Sequence, residues 1–515
     1  MNRSADNVVR RDTLILIVII CLKVVVQYVL VNPVFDLHRD EYLHLDQSNH
    51  LAAGYISVPP FSSWVAVLIR WLGNSAFWVR FFPALFGALT IATAWKIAEA
   101  LGGGLYAKTL TATALFISAL LRLNMLFQPN SMDILCWTLL FYVLIQFVRS
   151  DDRQWLYLGG IVLAAGILNK YNILFLLIGL LAAFLLSPHR RVFLNREFHY
   201  AMGITAILVL PNLIWQFNNH FPVVAHMNEL ARTQLVNVSR ADFLKEQTLY
   251  FIGAVYLIVL GAVSVFIYPP YKPYRFVFWA FLFTLLVFLY FRAKGYYAMG
   301  LYPVMIAFGA CYFERLFYAG WKRYVRIAPF VIILLFFIPI VDVAFPLQTP
   351  EKMAGNSAKF KKWGMLRWED GQDHQLPQDF ADMLGWSELA GIVDSAYLAL
   401  GDPTGTLVLC DNYGQTGAIN YYSHIKHINA VSMNADYINW IPLDHEIRNV
   451  ILVASSNDDD KSRNKERALF KEIHTAGMIL NKLAREYQTT VYVLKGATQP
   501  IVPLLREEVK QRRIK

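Results

Sequence analysis

His38-Arg39-Asp40-Glu41-Tyr42 brings two carboxylates, a guanidinium and an imidazole together just past the first long apolar run, Leu14 to Val31. Carboxylates placed where a chain leaves a membrane are costly unless they serve a purpose. Asp40 can act there as a general base that takes a proton from a hydroxyl or an amine, with Arg39 or a bound cation tuning its pKa. The same residues also suit a plain interfacial helix that begins with Asp-Glu at the positive end of its dipole.

Further cations lie on the side of the chain where few are expected. Lys170 stands in Asn169-Lys170-Tyr171-Asn172, and Arg292 with Lys294 stands in Arg292-Ala293-Lys294-Gly295-Tyr296-Tyr297. Both segments join apolar runs, and a lysine there can hold a phosphate. Lipid headgroups are the plainer occupant. Arg80, near the end of the second apolar run, can pair with Asp40 or Glu41 or can snorkel to the headgroups. In Gln128-Pro129-Asn130-Ser131-Met132-Asp133, the proline ends one helix, Asn130 or Ser131 can cap the next, and Asp133 falls in its first turn, which dipole matching alone would explain. His38, His44, His50, His220 and His226 could join Glu41 around a metal, yet their spacing matches no metal motif. No cofactor is assigned on these residues, and a divalent cation stays open. Three cysteines lie in apolar segments and Cys410 stands alone, so neither a disulfide framework nor a zinc spacing is present.

These residues need a membrane-bound frame. Hydrophobic residues make up 56% of the chain and charged ones only 16%, in long apolar runs rather than short periods, which excludes an ordinary soluble enzyme. A span needs roughly 20 apolar residues. That rule predicts about eleven transmembrane helices, near 13–33, 77–99, 106–123, 131–148, 155–169, 171–187, 199–215, 247–268, 276–292, 298–314 and 327–345. The first follows Arg3, Arg10 and Arg11 like a signal peptide, but it is too long and lacks a small-residue cleavage site, so it reads as an uncleaved span.

The net charge of +10 lies mostly in short loops and in the tail Lys510 to Lys515, which topology explains better than nucleic acid does. With the N-terminus cytoplasmic, Arg149 and Arg153, then Arg190, Arg191 and Arg196, then Lys272 and Arg275, then Arg315, Lys322, Arg323 and Arg326 all fall inside. An odd span count then puts 346–515 outside. The first outer loop, 34–76, holds two stretches that suit interfacial helices, His38 to Ala53 and Phe61 to Leu72, separated by Gly54-Tyr55 and Pro59-Pro60. Gln216 to Lys245 forms another outer loop. After residue 346 short β-branched runs at 406–409, 450–454 and 490–494 alternate with helical patterns at 380–400 and 464–487, which predicts a soluble α/β domain. Asp411 to Gly417 within it reads as a strand-to-helix turn or as a ligand pocket.

Together these features resemble the polytopic GT-C-type glycosyltransferases that use polyprenyl-phosphate sugars, the family of protein O-mannosyltransferases and lipid A aminoarabinose transferases. The resemblance covers roughly residues 10–345. It is carried by His38 to Glu41, Gly54-Tyr55 with Pro59-Pro60, Arg80 before Pro83-Ala84-Leu85-Phe86-Gly87, Asp133, Asn169-Lys170-Tyr171, and Lys294 with Tyr296-Tyr297 ahead of Tyr302-Pro303. It implies that Asp40, with Glu41 beside it, is the catalytic carboxylate, and that Arg80, Asp133, Lys170, Lys294, Tyr296 and Tyr297 bind the donor phosphate or substrate. It further implies an inverting transfer from a polyprenyl-phosphate sugar to a lipid, glycan or protein acceptor, in the inner membrane of a bacterium with the C-terminal domain periplasmic. The tail resembles the outer domain of bacterial members through Asp382 to Trp386 and Asp411 to Ala418. One departure stands out, because related lipid A enzymes carry Glu-Lys before the double proline, with the glutamate helping to hold a metal, where this chain has Ser57-Val58. A transporter or flippase of a lipid-linked sugar is the alternative, and it should place its ionisable groups near mid-membrane on broken helices in related halves. A silent membrane sensor with its ligand pocket at 411–417 is a further rival.

Overall fold

The computed structural model describes residues 3–514; Lys515, the end of the basic tail, lies outside them. The chain forms two compact units. One comprises the residues up to Val31, Ala53–Val65 and Asn74–Phe345; the other comprises Asn32–Ala52, Ala66–Gly73 and everything from Pro346 onward.

The first unit is helical. Every expected apolar run forms helix, because in hydrocarbon the backbone can satisfy its polar groups only within itself. Among the described residues seven of these helices are long and apolar enough to cross a membrane, and nine if two bent pairs, Ile173–Leu185 with Pro188–Leu194 and Arg240–Leu249 with Ile252–Ile267, each count as one span. The difference from eleven lies in two places. Gln154–Asn169 has 16 residues, a rise of about 24 Å against a core of about 30 Å. Leu105–Phe116 stops at Ile117, and Ser118 caps a new short helix, Ala119–Leu123.

The interior of the helical unit is set by small residues. A Cβ on Gly309 would overlap the carbonyl of Leu257, and one on Gly261 would overlap the carbonyl of Met305, so Val255–Ile267 and Tyr302–Leu316 pack backbone to backbone. The most enclosed spans are Asn130–Ser150 and Gly295–Leu316, with 72% and 83% of their apolar windows buried, against 17% for the first and last spans. A buried ion pair, Lys108 Nζ to Asp12 Oδ2 at 2.6 Å, ties the first helix to Leu105–Phe116.

The second unit is built on a five-stranded sheet. The strands are β1 (Thr406–Cys410), β2 (Ala430–Ser432), β3 (Asn449–Ala454), β4 (Phe470–Met478) and β5 (Thr490–Ala497), in the order β2-β1-β3-β5-β4. β1 pairs parallel with β2 and β3, and β5 pairs antiparallel with β3 and β4. Helix Ile501–Ile514 covers one face through Ile501 and Leu505, which pack with Leu407, Val450, Phe470 and Leu494.

Two expectations fail here. Of the helix expected over 464–487 only Asn464–Arg467 forms; Phe470–Met478 is β4 and the residues after it are turn. β4 is an edge strand whose exposed Lys471, Glu472 and His474 mimic a polar helix face, and pairing with β5 decides its backbone. The helix expected over 380–400 breaks at Gly385, whose φ of 85° lies in the left-handed region, and Trp386–Leu400 starts afresh.

The first outer loop also differs from a simple pair of interfacial helices. Arg39–Asp46 is a helix of eight residues followed by a 3₁₀ turn, and residues 32–52 belong by their contacts to the unit that contains the sheet. Helix Phe61–Trp71 starts after the double proline, where the Pro60 carbonyl accepts the backbone N–H and the hydroxyl of Ser63.

Candidate functional site

The two carboxylates of the first loop are adjacent in sequence and are used differently. His38 caps helix Arg39–Asp46: its Nδ1 accepts the Asp40 N–H at 3.2 Å, and Glu41 Oε2 accepts the His38 N–H at 2.7 Å. This reciprocal capping box satisfies two orphan donors of the first turn. Glu41 is fully buried in it. Asp40 instead keeps 38% of its side chain exposed, and its Oδ1 accepts the Tyr413 hydroxyl at 2.7 Å. Burial pushes the Asp40 carboxyl up, but His38, Arg39 and the Tyr413 hydroxyl together outweigh burial and hold it below the usual carboxylate value. Asp40 is therefore an anion at neutral pH.

The surroundings of Asp40 come from distant sequence. The Arg39 guanidinium stacks 4.6 Å from the Tyr413 ring centroid. Because Nδ1 of His38 is an acceptor, its proton belongs on Nε2, which faces Asp382 Oδ2 at 3.7 Å. Asp382 is bonded in turn by Arg485 at 3.2 Å. Burial raises the Asp382 carboxyl, against the opposing pull of Arg485 and His38. Helix Arg39–Asp46 lies so close to Tyr413–Tyr422 that a Cβ on Gly417 would come 2.5 Å from Tyr42 Cβ. At its far end Asp46 accepts the Tyr437 hydroxyl at 2.7 Å and the Asn420 amide at 2.8 Å. Burial pushes Asp46 up to about 6.

In the helical unit a second group of expected residues meets. Lys170 donates to Asn130 Oδ1 at 2.7 Å, and its Nζ stands 4.2 Å from the Tyr297 ring centroid and 5.4 Å from that of Tyr296. Asp133 is buried beside them, accepting Trp137 Nε1 at 3.0 Å and Asn172 Nδ2 at 2.8 Å. The Asn172 amide also donates to the Tyr297 carbonyl at 3.0 Å. Three connections, 128–133, 169–172 and 294–297, thus converge at the ends of the two most enclosed spans. Tyr171 extends the group, donating to Asn212 Oδ1 at 2.7 Å, while the Asn212 amide donates to the Ala53 carbonyl. Gly54 is required there, since a Cβ would come 2.5 Å from the Trp215 ring.

Lys294 turns elsewhere and donates to Gln234 Oε1 at 2.7 Å. Arg80 lies in Ala76–Ala100 beside Tyr28. Among the described residues no group of three or more His, Cys, Asp and Glu side chains is arranged to hold a metal ion. His44 bonds Gln47, and His50 stacks on Trp440 at 4.1 Å.

Asn172, Trp137, Asp382 and Tyr413 carry no chemical role in the sequence, and Asn130 enters there only as a candidate helix cap. The two asparagines flank residues already singled out, so adjacency was a usable signal. Asp382 and Tyr413 fall in stretches that only resemble an outer domain, and Asp411-Asn412 is the turn from β1 into helix Tyr413–Tyr422. Asn412 and Gln415 form a second capping box there.

The family described as dolichyl-phosphate-mannose-protein mannosyltransferase matches residues 57–215, a stretch that holds Arg80, Asp133 and Lys170 but not Asp40 or Lys294. Lipid A galacturonosyltransferase RgtD of Rhizobium johnstonii is 25% identical over 201 residues, which cover 38% of this chain and 42% of that protein, so the match spans less than half of the relative's length. The crystal structure of ArnT from Cupriavidus metallidurans in the apo state superposes with a TM-score of 0.62 at 13% identity, covering 93% of this chain and 98% of that one. ArnT bound to undecaprenyl phosphate gives 0.59 at 12% identity, covering 93% and 97%. At such identities the likeness shows the fold. The chain is thus a multi-pass membrane protein with the GT-C glycosyltransferase fold of ArnT, and over residues 57–215 it matches the dolichyl-phosphate-mannose-protein mannosyltransferase family.

Proposed function

We propose that the protein is an inverting glycosyltransferase that moves a sugar from a polyprenyl-phosphate carrier to a cell-envelope acceptor at the outer face of the cytoplasmic membrane. The observation that carries this reading is the convergence of Lys170, Tyr296, Tyr297 and Asp133 at the ends of the most enclosed spans, in a chain with the ArnT fold. A sugar on a long polyprenyl phosphate stays in the bilayer and must be met at its surface. A lysine presented between two tyrosines matches a phosphate there in charge, and the rings match a sugar face.

The chemistry needs two roles. A base removes the proton from the acceptor hydroxyl or amine as it attacks the anomeric carbon, and Asp40, anionic and partly exposed, has the properties of that base. A cation offsets the charge that grows on the phosphate oxygen as its bond to the anomeric carbon breaks, and Lys170 has the properties of that cation. The proton ends on Asp40, the new glycosidic bond replaces the phosphoester bond with inversion, and polyprenyl phosphate leaves. Glu41, enclosed in the cap, keeps the helix start in place rather than taking the proton. The basic inner loops support a cytoplasmic N-terminus. The galacturonosyl and lipid A terms in the relative's name and the undecaprenyl phosphate in one ArnT structure make undecaprenyl-phosphate sugars and envelope lipids the first substrates to try.

Purified protein in liposomes should transfer radiolabelled sugar from a panel of undecaprenyl-phosphate sugars to an envelope lipid fraction. Asp40→Asn should abolish transfer. Movement of donor across the bilayer without transfer would instead establish a flippase.

A further inference from the structure

Tyr413 and Asp40 belong to the same unit, the one that contains the sheet, and the Tyr413 hydroxyl is bonded to the carboxylate on which the proposed chemistry turns. We propose that Tyr413 is a positioning residue for Asp40: its hydrogen bond to Oδ1, 2.7 Å long, fixes the plane of the carboxylate and stabilises its anionic form for proton transfer. This rests on the reading of Asp40 as the base.

The hydroxyl has no part in the local fold that would explain it otherwise. Tyr413 is the first residue of helix Tyr413–Tyr422, whose start is already closed by its neighbours. Asn412 Oδ1 accepts the Gly414 and Gln415 N–H groups at 2.9 and 3.1 Å, and Gln415 Oε1 accepts the Asp411 N–H at 3.1 Å. Gln415 Nε2 is anchored on Glu486 at 2.8 Å. Ring and hydroxyl thus do separate things. The ring supports the Arg39 guanidinium, and the hydroxyl reaches across to the helix that the chain built 373 positions earlier.

Asp40 also faces His38, Arg39 and His44 of its own segment. Asp382, from the turn before Trp386, opposes its charge, while Arg485 and Glu486, from the loop before β5, act on Asp382 and Arg39. Arg39 supplies the neighbouring positive charge, and the phenol is the neutral donor that fixes the direction of the carboxylate. A Tyr413→Phe change removes that bond and keeps the ring, the Arg39 stack and the helix cap.

The test compares pH profiles of sugar transfer, from the most active undecaprenyl-phosphate donor, for wild type and Tyr413→Phe in liposomes. The bond favours the anion, so its loss raises the Asp40 pKa. The acidic limb of kcat should move up by about one pH unit, with kcat at the optimum down about tenfold and KM for the donor unchanged. If Phe at 413 lowers expression, 3-fluorotyrosine at position 413 gives the opposite sign at nearly equal volume, because a more acidic phenol donates more strongly and the limb moves down. An unchanged acidic limb in the Phe variant, or a loss carried wholly by KM, would overturn the proposal. Retained transfer by Asp40→Asn would overturn the reading of Asp40 itself, whatever Tyr413 does, so the two failures are distinguishable.

Discussion

The surroundings of Asp40 and those of Asp133 are built from similar groups to opposite ends. Asp133 is enclosed at the start of a central span and is satisfied by an indole and an amide 4 and 39 positions away. Asp40 is partly exposed, its side chain stands outside the cap that its N–H joins, and it takes a phenol hydrogen bond from a residue 373 positions away. A carboxylate with all its bonds made inside the protein holds a local charge and shapes a neighbour, here Lys170. One that remains reachable, and is kept anionic by a neighbouring guanidinium and a phenol hydrogen bond, can receive a proton. The difference teaches that burial and satisfaction, rather than residue type, separate the group that does chemistry from the group that holds the frame.

The largest effect should come from Asp40→Asn, which keeps size and removes the base. Turnover should fall about 10²- to 10⁴-fold with donor affinity unchanged; a large loss of donor affinity would erase the distinction between the two regions. Lys170→Ala should act the other way. Binding of undecaprenyl phosphate to the purified protein, followed by native mass spectrometry, should weaken about 10- to 100-fold, as expected for one lost charge-assisted contact.

A smaller effect should appear in the pH dependence of stability. Asp46, at about 6, binds its proton more tightly in the folded chain than at its ordinary value of 3.8. Its contribution is therefore complete below about pH 4 and is lost as the pH rises through 6. Thermal unfolding of wild type and Asp46→Asn at pH 4 and 7 should show wild type losing the more of the two, by about 1–2 kcal/mol once partial exposure is allowed for. A parallel response would show that Asp46 titrates normally. Smallest of all, Glu41→Gln should cost about 1 kcal/mol through the weakened cap while transfer persists. Loss of transfer at wild-type stability would move the proton from Asp40 to its neighbour.

Much of the helical unit was legible because apolar runs longer than a bilayer is thick have one way to satisfy their backbone. Where the runs were short or interrupted, at 105–123 and 154–169, the helices fall below the length that marks a span by itself, since Ser118 caps a new helix within what reads as one run and Gln154–Asn169 has 16 residues. The Lys170 group was legible in part, through cations on a face that should carry few. Of its partners, Asn130 reads as no more than a helix cap and Asn172 gives no signal of its own, because an asparagine beside a proline or a tyrosine suits any turn. The setting of Asp40 was hidden more deeply. Nothing in Asp411-Asn412-Tyr413-Gly414 shows that its tyrosine meets a loop 373 positions away, and β4 was misread for the same reason, its pairing with β5 overriding a polar local pattern.

The most direct test of the division between proton acceptor and phosphate holder measures, on one preparation of Asp40→Asn, both undecaprenyl phosphate affinity and sugar transfer. The account predicts wild-type affinity with transfer reduced at least a hundredfold. Transfer at the wild-type rate, or affinity and transfer lost together, would contradict it.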